Sequence, residues 1–201
     1  MPHRTHHVST TTIALLFILL FICLFPSLFN FVWTLPLALL GFERTPAYSS
    51  SSYATMSWFQ KQITLPAKAR GSYLITDQIV SALPEIRNYK VGLLNLFIQH
   101  TSCGLSLNEN FDPTVRDDMS DALDRIAPEY GPNGEVLYRH DDEGPDDMPA
   151  HIKSALVGAS LTIPIKDGKL ATGTWQGIWY LEFRAMKHQR KIMATIQGEK
   201  A

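Results

Sequence analysis

The sequence predicts an α+β fold, an antiparallel sheet or sandwich with a few short helices on one side. Three observations carry that expectation. Apolar runs of strand length recur through residues 56–201, two of them flank the turn dipeptide Asp167-Gly168, and helical periodicity is confined to brief stretches. There is no β-α-β alternation and no internal repeat, which excludes a doubly wound parallel sheet and a solenoid.

In chain order the first feature is an apolar extension. From Thr12 to Phe42 no residue is charged, and the stretch is longer than the ~20 apolar residues a membrane-crossing helix needs. Pro26 and Pro36 interrupt it, so a straight helix fits best over Ile13 to Phe25, about the length of a signal-peptide core. A Ser-rich linker follows at Tyr48–Tyr53. Residues 1–55 thus read as an N-terminal extension, with 13–41 as a transmembrane or signal segment. Three readings compete: a membrane anchor, a cleaved export signal, or an extension not translated when synthesis starts at Met56 instead of Met1. No Asn-x-Ser/Thr sequon occurs, which disfavours export. The expected location of the 56–201 domain is cytoplasmic, or membrane-anchored if the segment is translated and retained.

The body then justifies the fold class element by element. Trp58–Pro66 and Ser72–Thr76 alternate as strands, and Asp77 can cap a short helix whose Ile79, Val80 and Leu83 share a face. Val91–Gln99 is a nearly continuous apolar run, the mark of a strand covered on both faces, and it delivers His100 to its end. Asp112-Pro113 reads as a cap with proline at the first helical position, followed by the stripe Val115, Met119, Ala122, Leu123 and Ile126. A polar loop leads to a helix over about Met148–Val157, closed by Gly158. Leu161–Ile165 and Lys169–Thr174 form a hairpin around Asp167-Gly168, and Gly177–Arg184 with Lys191–Gln197 a further one.

Composition removes several function classes. Of 201 residues 45% are hydrophobic, so there is ample apolar surface for a core. Eighteen Lys and Arg against nineteen Asp and Glu argue against a nucleic-acid binder that works by phosphate neutralisation. Two cysteines, Cys23 and Cys103, give neither a disulfide framework nor a thiolate zinc knuckle.

The chemistry centres on histidines. His100, His140 and His151 each sit at an element boundary among small or acidic residues, where a neutral imidazole could ligate a metal. Three converging rings could hold a zinc-like ion and leave a position open; equally, each could be a separate boundary histidine with an ordinary hydrogen bond. The run Asp141, Asp142, Glu143, Asp146, Asp147 is either a solvated loop or a hard-cation site for Mg²⁺ with a phosphate substrate. Glu182 lies in an apolar strand and must face water or a partner, orienting a ring or acting as a base; Glu109 is a second such candidate. Between Gly173 and Gly177, Thr174, Trp175 and Gln176 suit a planar polar ligand, or form a tight bend with Trp175 in the core. Cys103 next to Ser102 and Gly104 reads as a small core residue before it reads as a nucleophile.

The stretches HTSCGLSLNEN, DPTVRDDM, YRHDDEGPDDMPAHIKSALVGASLTIPI, DGKLATGTWQGIWYLEFR and TIQGE, in this order, resemble the YjbQ-like family, also called the secondary thiamine-phosphate synthase family. The resemblance covers essentially all of 56–201, and residues 1–55 have no counterpart in it. It implies a compact α+β domain assembling as a homotrimer, with a weak thiamine-phosphate synthase activity that joins a pyrimidine diphosphate to a thiazole phosphate. The family's motif histidines fall on His100, His140 and His151, which the resemblance makes one metal-binding site. Glu109, Thr174, Gln176 and Glu199 also lie at motif positions. The implied assignment is Glu109, Glu182 and Glu199 as catalytic, Thr174, Trp175 and Gln176 as substrate-binding, and a small phosphorylated metabolite as ligand. Two alternatives stand beside the transferase: a metal-assisted hydrolase, and a non-enzymatic trimer that binds a metabolite or metal.

Overall fold

The computed structural model describes residues 9–25 and 56–201, and the chain divides into two units, Met1–Tyr53 and Ala54–Ala201. In the first unit, helix α1 spans Thr10–Leu24, with the Ser9 side chain accepting the Thr11 N–H at 3.3 Å. It stops just ahead of Phe25-Pro26, where proline disfavours helical geometry in the preceding residue. Fifteen residues at 1.5 Å each give about 22 Å, short of the ~30 Å hydrocarbon layer. No helix among the described residues is long and apolar enough to cross a membrane. This corrects the transmembrane expectation for 13–41; its remaining part, beyond Phe25, and the Ser-rich linker lie outside the described residues.

The second unit is α+β, as the sequence predicts. Its strands are β1 (Met56–Thr64), β2 (Gly71–Leu74), β3 (Tyr89–Ile98), β4 (Cys103–Glu109), β5 (Ser160–Lys166), β6 (Lys169–Leu170), β7 (Gln176–Glu182) and β8 (Lys191–Lys200). Its helices are α2 (Thr76–Ala82), α3 (Pro113–Ile126) and α4 (Asp147–Val157), with a 3-10 turn at Pro84–Asn88. All strand pairs are antiparallel, in a five-stranded sheet β1-β8-β3-β5-β6 and a three-stranded sheet β2-β7-β4.

Alternation along β7 explains the layering. Ile178 and Tyr180 join Leu94, Leu96, Ile98, Ile192 and Ile196 of the large sheet in one core cluster. Trp179, Leu181 and Phe183 point to the opposite face, where they pack with Leu123 of α3 and Ala150 of α4. The three-stranded sheet is therefore buried on both faces, between the larger sheet and the helices. Glu182, two residues beyond Tyr180, falls on the inter-sheet face.

Local signals mostly hold. Asp112 Oδ1 accepts the Thr114 N–H at 2.8 Å and Pro113 opens α3. Asp167 and Gly168 both take positive φ, 48° and 74°, as a type I′ hairpin turn requires. Three expectations are corrected. Asp77 lies inside the first turn of α2 and caps nothing; Ile75 is the N-cap, without a side-chain bond. Residues 177–197 are not a hairpin, because β7 and β8 belong to different sheets and the 183–190 connection crosses between them. Finally, β3 is covered on one face only within the chain: Leu94, Leu96 and Ile98 are buried, while Val91, Leu93 and Phe97 are about half exposed.

Candidate functional site

The β3–β4 connection, the start of α4 and the 183–190 crossover meet at one end of the two sheets. They enclose a cavity of about 440 Å³ lined by His100, Ser102, His140, His151, His188 and Arg190, among others. His140 arrives from the polar loop, and His151 from the first turns of α4, four residues after Asp147 on the same helix face.

His140, Asp147 and His151 each offer one ligand atom, and these atoms lie within 4.8 Å of one another. His140 Nε2 is 3.1 Å from Asp147 Oδ2, and His151 Nε2 is 3.3 Å from Asp147 Oδ1. The orientation of His151 is fixed from behind: its Nδ1–H donates to the Thr101 carbonyl at 2.8 Å. In the neutral ring that leaves Nε2 as a lone pair pointing at a carboxylate oxygen. Two acceptors in contact need a proton or a metal ion between them.

Asp147, almost fully buried, is also held by Arg184, whose Nη1 lies 2.6 Å from Oδ1, the oxygen that faces His151. The same guanidinium reaches Asp146 Oδ2 at 3.1 Å, Glu143 Oε2 at 2.9 Å and the Glu143 carbonyl at 2.9 Å. Three of the five acidic residues of the run are thus bound by Arg184, and the loop's attachment there is what presents His140.

Behind this layer lies a second ion pair. Arg190 donates through Nε and Nη2 to the two oxygens of Glu182, both at 2.7 Å. Glu182 also accepts from the Tyr180 hydroxyl and from the Phe183 and Arg184 N–H groups. Burial disfavours the Arg190 cation, but the hydrogen bonds and charge of Glu182 outweigh it and raise the guanidinium pKa. Arg190 Nη2 in turn donates to Ser102 Oγ at 2.9 Å, fixing that hydroxyl at the cavity wall. The partner that Glu182 needs is thus an arginine, and the saturated carboxylate positions groups around it.

His100 lines the same cavity outside the three-residue group. Its Nε2 accepts the Lys191 N–H at 2.9 Å, and burial together with the Arg190 charge lowers its pKa. His100 is therefore neutral at pH 7, with its proton on Nδ1. His188, which sequence spacing did not single out, donates from Nδ1 to the Met186 carbonyl at 2.8 Å, which fixes the ring. Its backbone is pinned by mutual hydrogen bonds with Lys68. Cys103 is fully buried and its thiol is pushed up to about 12 by desolvation, so it stays protonated in the core.

The remaining sequence candidates lie elsewhere. In the β4–β7 register Cys103 pairs with Glu182 at the histidine end, and Glu109 with Gln176 at the other. Six residues of strand put about 20 Å between those ends. Thr174, Trp175 and Gln176 form a turn there, tied by Asn110 Nδ2 to the Thr174 and Gln176 carbonyls, with Trp175 edge-on to Phe111. Glu199 sits near the end of β8, opposite Met56 and Val91. Within one chain none of these faces the histidine cavity. Arg184, Arg190, Ser102 and His188, unassigned from sequence, complete the cavity together with Asp147, which the sequence offered only as one of five acidic residues in a solvated loop or hard-cation site. Only the Asp147–His151 spacing of four carried a readable signal.

Similar proteins agree with this architecture. Residues 61–199 match the family model described as UPF0047 protein YjbQ-like. The UPF0047 protein YjbQ of Escherichia coli O157:H7 is 51% identical over 142 residues, covering 71% of this chain and 99% of its own. A UPF0047 protein of Synechocystis is 38% identical over 149 residues, 74% of this chain and 98% of its own. An uncharacterized YjbQ/UPF0047 protein from Clostridium acetobutylicum superposes with a TM-score of 0.57 at 34% identity, covering 69% of this chain and 98% of that one. A Sulfolobus solfataricus protein of unknown function shares the fold with a TM-score of 0.63 at 23% identity, over 72% of this chain and all of that one. These descriptions name no activity, so the thiamine-phosphate synthase expectation gains no support from them. The chain belongs to the YjbQ-like UPF0047 family.

Proposed function

We propose that His140, Asp147 and His151 hold one divalent metal ion, and that the cavity around them carries out metal-assisted hydrolysis of a small phosphorylated metabolite. One observation carries the reading: His140, Asp147 and His151 bring one ligand atom each to within 4.8 Å of one another, with His151 turned so that Nε2 faces the carboxylate at 3.3 Å while Nδ1–H is committed to the Thr101 carbonyl. Two imidazoles and one carboxylate are a donor set suited to zinc, and they leave positions open for substrate. When bound, such an ion supplies Lewis acidity. The chain's own residues do the rest. Arg184 holds the carboxylate, Thr101 fixes the ring, and His100 offers an Nδ1–H and Ser102 a hydroxyl to an anionic group. His188 Nε2 is the acceptor for a proton released in the reaction.

Elemental analysis of the purified protein is expected to find about one zinc per chain, removed by a chelator. His140→Ala and His151→Ala each lose it, together with release of inorganic phosphate from small phosphate esters. Unchanged metal content in both variants would sink the proposal. Retained zinc binding without any phosphate release would instead favour a binding protein.

We also infer that further copies of the chain cover the outer face of the five-stranded sheet, where Val91, Leu93 and Phe97 of β3 stand exposed and Trp58 of β1 flanks them across Gln197 of β8. Light scattering is expected to give a multiple of the 22.6 kDa chain mass, and Trp58→Glu with Leu93→Glu to reduce it. A single-chain mass for the unaltered protein overturns this.

A further inference from the structure

A second cavity, of about 420 Å³, opens on the other side of the wall formed by Tyr180 and the Lys68–His188 bridge. Its chemistry is opposite to that of the histidine cavity. Lys68 and Arg116 line it, with the Ser72 hydroxyl and the Gln78 amide, and no Asp or Glu is among its described lining residues. Arg116 comes from the second turn of α3. Its Nη1 is buried and has no hydrogen-bond partner among the described residues. A guanidinium nitrogen removed from water and left unpaired is unfavourable, and the Arg116 group gains a partner by turning toward an anion in the cavity that it lines. Lys68 Nζ lies 5.0 Å above the Tyr73 ring, and the rings of Tyr73 and Tyr180 stack at 5.9 Å. The cavity therefore combines two cations with aromatic and aliphatic walls, Leu65, Pro66 and Ile75 among them. Its volume suits a small organic ligand.

We propose that this cavity binds the oxyanion group of a small organic ligand, a phosphate ester or a carboxylate, with the Arg116 guanidinium and Lys68 Nζ as its counter-charges and the ligand's apolar body against Tyr73 and Tyr180. Arg116 is the stronger anchor, because a planar fork of donors matches an oxyanion and the side chain is half-buried with an unpaired nitrogen. Lys68 is exposed, so its ammonium meets the ligand from the solvent side. The site needs no metal and stands apart from the one formed by His140, Asp147 and His151.

Calorimetric titration of the chelator-treated protein with phenyl phosphate, and separately with benzoate, tests this. Saturable binding of at least one probe is expected, and whichever binds more tightly identifies the preferred anion. Arg116→Gln should weaken that binding at least tenfold and Lys68→Gln several-fold, with His140→Ala within twofold of the unaltered protein. Lys68 is exposed, so Lys68→Gln reports even if the Arg116 variant fails to fold. The proposal is overturned if neither probe saturates. It is equally overturned if both the Lys68 and Arg116 variants bind like the unaltered protein, or if affinity is lost with His140→Ala rather than with them.

Discussion

Replacing Asp147 by Asn is expected to weaken zinc binding at least about 100-fold while the protein stays folded. Even outer-sphere partners of a metal ligand carry about 10–100-fold in affinity, and Asp147 faces both His140 and His151 directly. Asn retains an oxygen for Arg184 Nη1, so the loop that presents His140 keeps its anchor. Asp147→Ala removes that oxygen as well and leaves Arg184 with Asp146 and Glu143. A further loss of about 1–3 kcal/mol in stability is expected for the metal-free Ala variant, the usual penalty for a stranded buried hydrogen-bonding group. Competition against a chromogenic chelator measures the first effect, and denaturant unfolding in chelator the second. If the Asn variant bound zinc as tightly as the unaltered protein, the cation would have to lie elsewhere. If the Asn variant were as unstable as the Ala variant, the carboxylate charge would serve Arg184 rather than a metal.

What could be read from the sequence follows from which interactions are local. The Asp112-Pro113 start of α3 and the Asp167-Gly168 turn depend on a few neighbouring residues, and they form as predicted. The β7–β8 hairpin failed because two strand-like runs eight residues apart carry no mark of which sheet each will join. The crossover between them is held by contacts that no local pattern records: Arg184 binds Asp146 and Asp147 of a distant loop and helix, and Arg190 joins Glu182 to Ser102 of the β3–β4 connection. The apolar run of β3 is a related case: its outer residues ask for cover that the single chain does not supply. At the site, boundary position drew attention to His100, His140 and His151. The third member of the close group, however, is Asp147, hidden in an acidic run where five carboxylates look alike until Arg184 and the two rings select one. Gly173–Gly177 and Glu109 looked equally chemical, but motif order says nothing about which end of a strand a residue reaches.

The largest loss of stability is expected at the ion pair between the sheets. Glu182 and Arg190 are 0% and 6% exposed, so neither has water to fall back on. Glu182→Leu strands the Arg190 guanidinium, and Arg190→Met strands the Glu182 carboxylate; each is expected to cost about 3–5 kcal/mol. In a domain of this size that lowers the melting temperature on the order of 10 °C. The double variant, with neither charge left to strand, is expected to be more stable than either single one. Such a cycle separates two roles for the pair. If only stability mattered, the double variant would recover zinc affinity along with its melting temperature. Arg190 also holds Ser102 Oγ, and Ser102 follows the Thr101 carbonyl that fixes the His151 ring. The double variant is therefore expected to regain much of its stability yet bind zinc more weakly than the unaltered protein. Full recovery of both would reduce Glu182 and Arg190 to core packing. Recovery of stability alone would make the buried pair the element that orients the metal site from the inter-sheet layer.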